Sequence, residues 1–358
     1  MPTPNQVRPA RALRETDMPA FPAEVERAGE DEAVKFSRSV GRHLIASVAC
    51  ALAAPFLVAA SAAGETTPGP SVTVDPAPAG ARPPVVTVDP TPTPARNVKM
   101  AGSTIIDADF NTQALGQVSP TSFNKELGDT NDDSGAYDSM SYVDDAAGGK
   151  AVRTKLAAGK YLGSGGSGQG NVLVIQLGRT TDSACMSYDV RFSNGFDFSA
   201  GGKLPGLLGV APGTPPSTPT GGGSTAHGWS GRLMWLGPKA YSFARERGSD
   251  NVAVTYLYHP GQADKWGDNI QWHKPFKNGK WHHVQQYHTL NTIGRSNGVL
   301  RAWLDGAPVV NRSDVVYRTD PAVHITHFDW SIFRGGDSML WAGSRDGYVD
   351  MDNVRVTG

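Results

Sequence analysis

An all-β fold, an antiparallel β-sandwich or jelly roll with a concave groove, is what this sequence predicts for residues 100–358. Three observations predict it. Short runs that alternate apolar and polar residues recur from about Met100 onward, bounded by Gly, Asn, Asp and Pro. No stretch carries a long amphipathic helical pattern or a strand–helix–strand rhythm. Glycine (42 residues) and proline (26 residues) are abundant, as many turns between short strands require.

The segments preceding that domain each have their own composition. Residues 1–33 are polar and mixed in charge without periodicity, and read as a disordered leader or as a start assigned too far upstream, with Val34 as the alternative first residue. Lys35, Arg38 and Arg42 then flank the start of an apolar run, Leu44 to Ala60, which ends in Ala60-Ser61-Ala62-Ala63-Gly64. A basic region, an apolar stretch and a small-residue cleavage site make residues 34–63 a secretory signal peptide. The expected destination is the periplasm or the cell exterior, with no stable membrane insertion after cleavage. Residues 64–99 are rich in Pro and Thr, and Val72-Thr73-Val74-Asp75-Pro76 recurs there as Val86-Thr87-Val88-Asp89-Pro90. Such a composition cannot bury a core and reads as an extended linker.

Within 100–358 the expected strands are Ser103–Phe110, Ala151–Leu156, Asn171–Leu177, Ala184–Phe192, Ser230–Trp235, Val252–Tyr258, His282–Thr289, Val299–Leu304, Ile325–Phe333 and Tyr348–Val356. Each is a short run of strand-forming residues between turn formers. Asp305-Gly306 reads as a hairpin turn signal, with its Asp not catalytic.

The formal net charge of −1 gives no electrostatic case for a nucleic-acid partner. Of the two cysteines, Cys50 falls in the segment expected to be removed, and Cys185 reads as a small buried hydrophobe. No His-x-x-x-His pair or cysteine cluster suggests a metal site, and no cofactor is expected. A monomer is expected.

Candidate chemistry gathers around Gly201-Gly202-Lys203-Leu204-Pro205-Gly206-Leu207, where one lysine stands among glycines and apolar residues. It is either a solvated turn lysine or an amine whose pKa is moved by apolar surroundings. Strand alternation puts Ser230, Arg232 and Met234 on one face, with Gly231, Leu233 and Trp235 directed into the core. The same rule pairs Tyr256 with Tyr258 opposite Leu257, and puts His282, Val284, Gln286 and His288 together. Gln286 and Asn291 are expected to bind substrate beside Ser230. His227, His259 and His288 are weaker candidate bases. Trp266 and Trp272, in a Gly/Asp-rich segment, read as sugar-stacking or core-capping loop residues.

Glu126 and Glu246 are the only glutamates between Met100 and Gly358, which disfavours the acid pair of a typical glycoside hydrolase. β-Elimination from a uronic acid polymer fits Lys, Arg and Tyr better. A cation must stabilise the enolate-like intermediate, and a Tyr or Lys can move the protons once its pKa suits. A cation beside a tyrosine would lower that phenol's pKa.

These residues resemble polysaccharide lyase family 14. The resemblance runs through Tyr188-Asp189-Val190-Arg191-Phe192, Gly201-Gly202-Lys203-Leu204-Pro205-Gly206-Leu207 and Gly228-Trp229-Ser230-Gly231-Arg232-Leu233-Met234-Trp235. It continues through Tyr256-Leu257-Tyr258, Gly279-Lys280-Trp281-His282, Trp303-Leu304-Asp305-Gly306 and Phe333-Arg334-Gly335-Gly336-Asp337. It implies a β-jelly roll that cleaves alginate or glucuronan, an anionic polysaccharide, by β-elimination. It further implies Lys203 as the key lysine, Ser230 and Arg232 as a Ser-x-Arg pair, and Tyr256 and Tyr258 as a Tyr-x-Tyr pair, with Lys203, Arg232, Tyr256 and Tyr258 catalytic. Two features depart from the family pattern: Leu208-Gly209-Val210 after the lysine motif, and an added segment over Lys239–Asp250. The competing expectations are a non-catalytic carbohydrate-binding module and a hydrolase that uses paired aspartates.

Overall fold

The computed structural model describes residues 102–130, 136–145, 149–239, 251–263, 265–336 and 338–358. The leader, signal peptide and linker expected over 1–99, and residues 240–250 of the added segment, lie outside the described residues. Among the described residues the strands are β1 (Thr104–Ala108), β2 (Gly116–Gln117), β3 (Met140–Asp144), β4 (Lys150–Leu156), β5 (Gly170–Thr181), β6 (Ser183–Phe192), β7 (Gly201–Val210) and β8 (Gly228–Leu236). They continue with β9 (Val252–Tyr258), β10 (Asp268–Pro275), β11 (Trp281–Thr289), β12 (Gly298–Leu304), β13 (Ala307–Val315), β14 (Ile325–Arg334) and β15 (Gly347–Thr357). One short helix, α1 (Pro120–Leu127), lies between β2 and β3.

The strands form two antiparallel sheets. The larger runs β13-β12-β11-β6-β15-β4-β3-β2, with β1 also pairing β15. The smaller runs β10-β9-β8-β7-β14-β5. Their inner faces supply one shared core, which includes Met186, Tyr188 and Val190 from the larger sheet and Leu204, Leu233, Leu257 and Trp330 from the smaller. Aromatic rings knit it together: Phe192 packs 5.3 Å from Trp235 and 5.2 Å from Phe276 between ring centroids. This is the all-β sandwich that the alternating runs predict.

The short helix was not expected. Ser119 caps it by accepting from the Ser122 amide, Ser122 answers through its own hydroxyl, and Phe123 and Leu127 plug one end of the core. The strands β2, β3, β7, β10 and β13 were also not expected. Strand β10 absorbs Trp272, which is buried and donates through Nε1 to Thr255 Oγ1 at 2.9 Å, so that indole is a core residue and not a sugar platform. The expected hairpin is present: Asp305 and Gly306 both take positive φ (53° and 77°) between β12 and β13, as a two-residue turn of this hand needs.

Strand β7 is buried along its whole length despite three glycines and a proline in its first six residues. Proline cannot donate to a ladder and is tolerated in a sheet at bulges. The register with β8 shifts between Leu204 and Gly206, around Pro205. Gly206 is required by crowding: a Cβ there would collide with the Gly231 carbonyl oxygen and with Arg232 Cα. The lysine motif is therefore a central strand pressed between β8 and β14, and not a solvated turn.

Candidate active site

The face of the smaller sheet turned away from the core carries the polar cluster. Alternation delivers Lys203 from β7, Ser230 and Arg232 from β8, and Tyr256 and Tyr258 from β9. Cross-strand register then makes them neighbours: Arg232 stands opposite Tyr256, Ser230 opposite Tyr258, and Lys203 opposite Met234. Lys203 Nζ lies 4.5 Å from the centre of the Tyr256 ring, a cation–π distance. The two phenolic oxygens are 3.3 Å apart. Apolar Met234, Val254 and Trp341 belong to the same cluster as the tyrosines and dry its flank.

Burial sets the electrostatics. Lys203 and Arg232 are each only 1% exposed, so two basic side chains lie in one dry site. Burial, and then the Arg232 charge, hold the Lys203 amine well below the ordinary lysine range, which favours an uncharged amine. Burial pushes the Tyr258 phenol up, against hydrogen bonds from Tyr256 and the Gly222 amide and the Arg232 charge that act to lower it. The expectation that a neighbouring cation would leave this phenol easily ionised is corrected: desolvation outweighs the cation, and Tyr258 keeps its proton. Arg232 Nε and Nη2 are buried and make no hydrogen bond among the described residues.

The loop between β7 and β8 lies over this cluster. Ser230 donates to the Pro219 carbonyl at 2.6 Å, and the Gly222 amide donates to Tyr258 Oη at 3.0 Å. Ser230 is thus tied to the loop that covers the tyrosines.

Two expected substrate-binding residues are elsewhere. Gln286 does share a face of β11 with Val284 and His288, but that face is the inner one: its side-chain carbonyl accepts from Thr255 Oγ1 at 2.9 Å between the sheets. Asn291 follows β11 and organises a loop, accepting from the Arg318 amide at 2.9 Å and donating to the Arg295 and Arg318 carbonyls. Neither reaches the cluster around Lys203. The candidate histidines are also committed: His227 to Asp320 (2.6 Å), His259 to Asp268 (2.8 Å), and His288 to Tyr317 in the core (3.1 Å).

Sequence reasoning overlooked Asp329 and Ser331 of β14. Asp329 stands opposite Gly206, which stands opposite Arg232, and its Oδ2 lies 3.8 Å from Arg232 Nε. Ser331 Oγ donates to the other carboxyl oxygen. The available signal was period two in Ile325–Phe333, where these polar residues alternate with Phe328, Trp330 and Ile332.

A cavity of about 940 Å³ lies on the far face of the larger sheet, lined by residues that include Asp109, Asp145, Asp189, Trp281 and Asp352. Its carboxylates are so crowded that burial and neighbouring aspartates push Asp352 up to about 6.

Comparison with known proteins agrees with this fold. The chain is 26% identical over 204 residues to Exolysin of Paramecium bursaria Chlorella virus 1, a match covering 51% of this chain and only 30% of that relative's length. The crystal structure of the marine PL-14 alginate lyase from Aplysia kurodai superposes with a TM-score of 0.60 at 22% identity, over 72% of this chain and all (100%) of that one. A double mutant of the alginate lyase Aly36B, with a lysine and a tyrosine replaced by alanine and alginate tetrasaccharide bound, gives 0.58 at 22% identity, over 70% and 96% of the two chains. At these identities the likeness is one of fold. The sequence model of polysaccharide lyase 14 matches residues 144–354, more than half of the chain and the whole of the stretch that builds the cluster. The chain belongs to the polysaccharide lyase 14 family.

Proposed function

We propose that this protein is a secreted lyase that cleaves a uronic acid polymer, alginate or glucuronan, by β-elimination. The observation that carries the reading is the convergence of Lys203, Arg232, Tyr256 and Tyr258 in one desolvated cluster, with the amine and the phenol shifted in opposite senses. Pairs of titratable groups pushed apart in this way divide into a base and an acid.

Arg232 pairs with the uronate carboxylate and so stabilises the enolate-like intermediate. The uncharged Lys203 amine takes the proton from C5. The C5 electron pair forms the C4–C5 double bond, the bond from C4 to the glycosidic oxygen breaks, and Tyr258 or Tyr256 delivers a proton to the leaving oxygen. Phenolic oxygens 3.3 Å apart can pass that proton between them. Ser230 acts through the loop it holds, which has to move for a polymer to reach the buried Lys203 and Arg232. The likeness in fold to alginate lyases supports alginate as the first polymer to try. Secretion rests on the signal peptide expected over residues 34–63.

The test is ultraviolet absorbance of the purified protein mixed separately with polymannuronate, polyguluronate and glucuronan. Elimination forms a conjugated unsaturated uronate, and a rising signal is expected with one of them. A flat trace on all three, with polymer retained on the protein, would replace this reading with that of a carbohydrate-binding module.

A further inference from the structure

We infer that Asp329 is a positioning residue for Arg232: it holds the Nε side of the guanidinium and turns the terminal nitrogens toward the substrate carboxylate. The inference rests on the lyase reading and deepens it.

Asp329 is 2% exposed in the middle of β14, with Phe328 and Trp330 on either side of it in the chain. A carboxyl in such a place is unfavourable unless something compensates it. The groups that face it are few: Arg232 from β8, Lys203 from β7, the Ser331 hydroxyl from its own strand, and apolar Val174 from β5. The sheet could not bring acid and guanidinium together across an ordinary β7 residue. Gly206 stands between them in register, and its lack of a side chain opens the path. Ser331 fixes one carboxyl oxygen, which leaves the other facing Arg232 Nε at 3.8 Å.

Arg232 needs such a partner. Its Nε and Nη2 make no hydrogen bond among the described residues, so charge and packing orient the group. A guanidinium binds a carboxylate best as a flat two-pronged fork, and a tilted fork loses that match. Burial raises the Asp329 carboxyl, and Arg232, the Ser331 hydroxyl and Lys203 act to lower it and so favour its charged form. Its attraction acts to raise the Lys203 amine, against burial and Arg232, which lower it.

The test is Asp329→Asn, which keeps the shape and an acceptor for Ser331 but removes the charge. On the polymer that the wild type cleaves, kcat/KM should fall about 10–100-fold, mainly in kcat, the size seen when a supporting partner or a small misalignment is at stake. The acid limb of the pH profile should move to lower pH, because Lys203 loses the charge that held its amine up. In an Arg232→Ala background the same change should cost less than about twofold, since residues acting through one another are not additive. Ser331→Ala, which releases the carboxyl, should lower kcat in the same direction and serves if Asp329→Asn does not fold. Near-wild-type kcat/KM with an unmoved acid limb, or a full additive loss on top of Arg232→Ala, would overturn the assignment while leaving the lyase reading in place. A wild type with no absorbance on any of the three polymers would overturn the lyase reading itself.

Discussion

Lys203 is costly to the fold, and in the proposed mechanism the same side chain is the base. Its amine sits in a dry site beside a guanidinium, where the charged form is disfavoured. In the unfolded chain the same amine protonates freely. The unfolded state therefore binds the proton more readily than the folded one, and stability is lost relative to a residue with no proton to bind. Lys203→Met keeps the length of the chain and removes the amine. It should raise Tm, at roughly 2–4 °C for each kcal/mol regained in a domain of this size. The same variant should lose about 100- to 10,000-fold in kcat, the usual contribution of a general base. Calorimetry and the absorbance assay read the two effects, and a Tm that falls would contradict the account of the site. Part of the cluster was legible in the sequence: Ser-x-Arg and Tyr-x-Tyr need only alternation to share a face, whereas Lys203 stood out by its glycine and apolar surroundings and by the family resemblance. Gln286 was not legible in the same way. Alternation grouped it with Val284 and His288 but could not say whether that face looked inward, and its partner Thr255 lies on the other sheet. Asn291 depends on Arg318, distant in sequence, for its role. Asp329 was hidden because its partner is reached across a glycine two strands away.

At the scale of the element, β7 is where the site is built and where composition misleads. Glycine and proline are depleted from strands, so Gly201–Val210 carries little β signal of its own. Strand β13 was missed for a different reason: its residues Asn311-Arg312-Ser313-Asp314 are exposed on an edge and show no apolar alternation. Strands such as β8, β9 and β14 were readable because aromatic and β-branched residues fill one or both faces. In β7 the glycines answer crowding by the neighbouring strands, which no local pattern reveals. Gly206→Ala tests this. The new methyl would meet backbone atoms of Gly231 and Arg232 well inside contact distance, and backbone cannot swing aside as a side chain can. The expected cost is about 1–3 kcal/mol, as for other overpacked cores. The displaced Arg232 should lose activity in step, because β8 would have to move away from β7. A urea midpoint equal to the wild type's would show that the two strands have room that the structure does not display.

For the molecule as a whole, acid stability is governed by imidazoles that the fold keeps neutral. Burial drives His288 from the ordinary 6.5 to about 3, and His327 from 6.5 to about 4. The His288 arrangement has a simple logic. Tyr317 donates its hydroxyl proton to the Val299 carbonyl at 3.1 Å, so His288 must donate through Nδ1 to the phenolic oxygen, which leaves Nε2 bare and buried against Trp229. A proton on Nε2 would have no partner. Because both folded pKa values lie below the unfolded one, the unfolded chain binds more protons between pH 6.5 and these values. Stability is therefore full above about pH 6.5 and falls as the pH drops through that window, by about 1.4 kcal/mol per pH unit for each fully engaged group. Asp352 acts in the opposite sense. Its folded value of about 6 exceeds the ordinary 3.8, so it adds stability as the pH falls from 6 toward 3.8 and offsets part of the loss. Two imidazoles against Asp352 leave a net loss of about 1.4 kcal/mol per unit between roughly pH 6 and pH 5, and Asp329, which burial also raises, acts in the same sense as Asp352 and trims that loss. Urea unfolding at half-unit steps over that range measures this directly. The His288→Gln variant, with no proton to bind at this position, should start from lower stability at pH 7 because it disturbs the Tyr317 contact. With one imidazole left to balance Asp352, its stability should then stay nearly level where the wild type's falls. Parallel curves for the two proteins would remove His288 from the account and assign the acid sensitivity to carboxylates, such as Asp182 and Asp305, whose ion pairs hold them below the ordinary range.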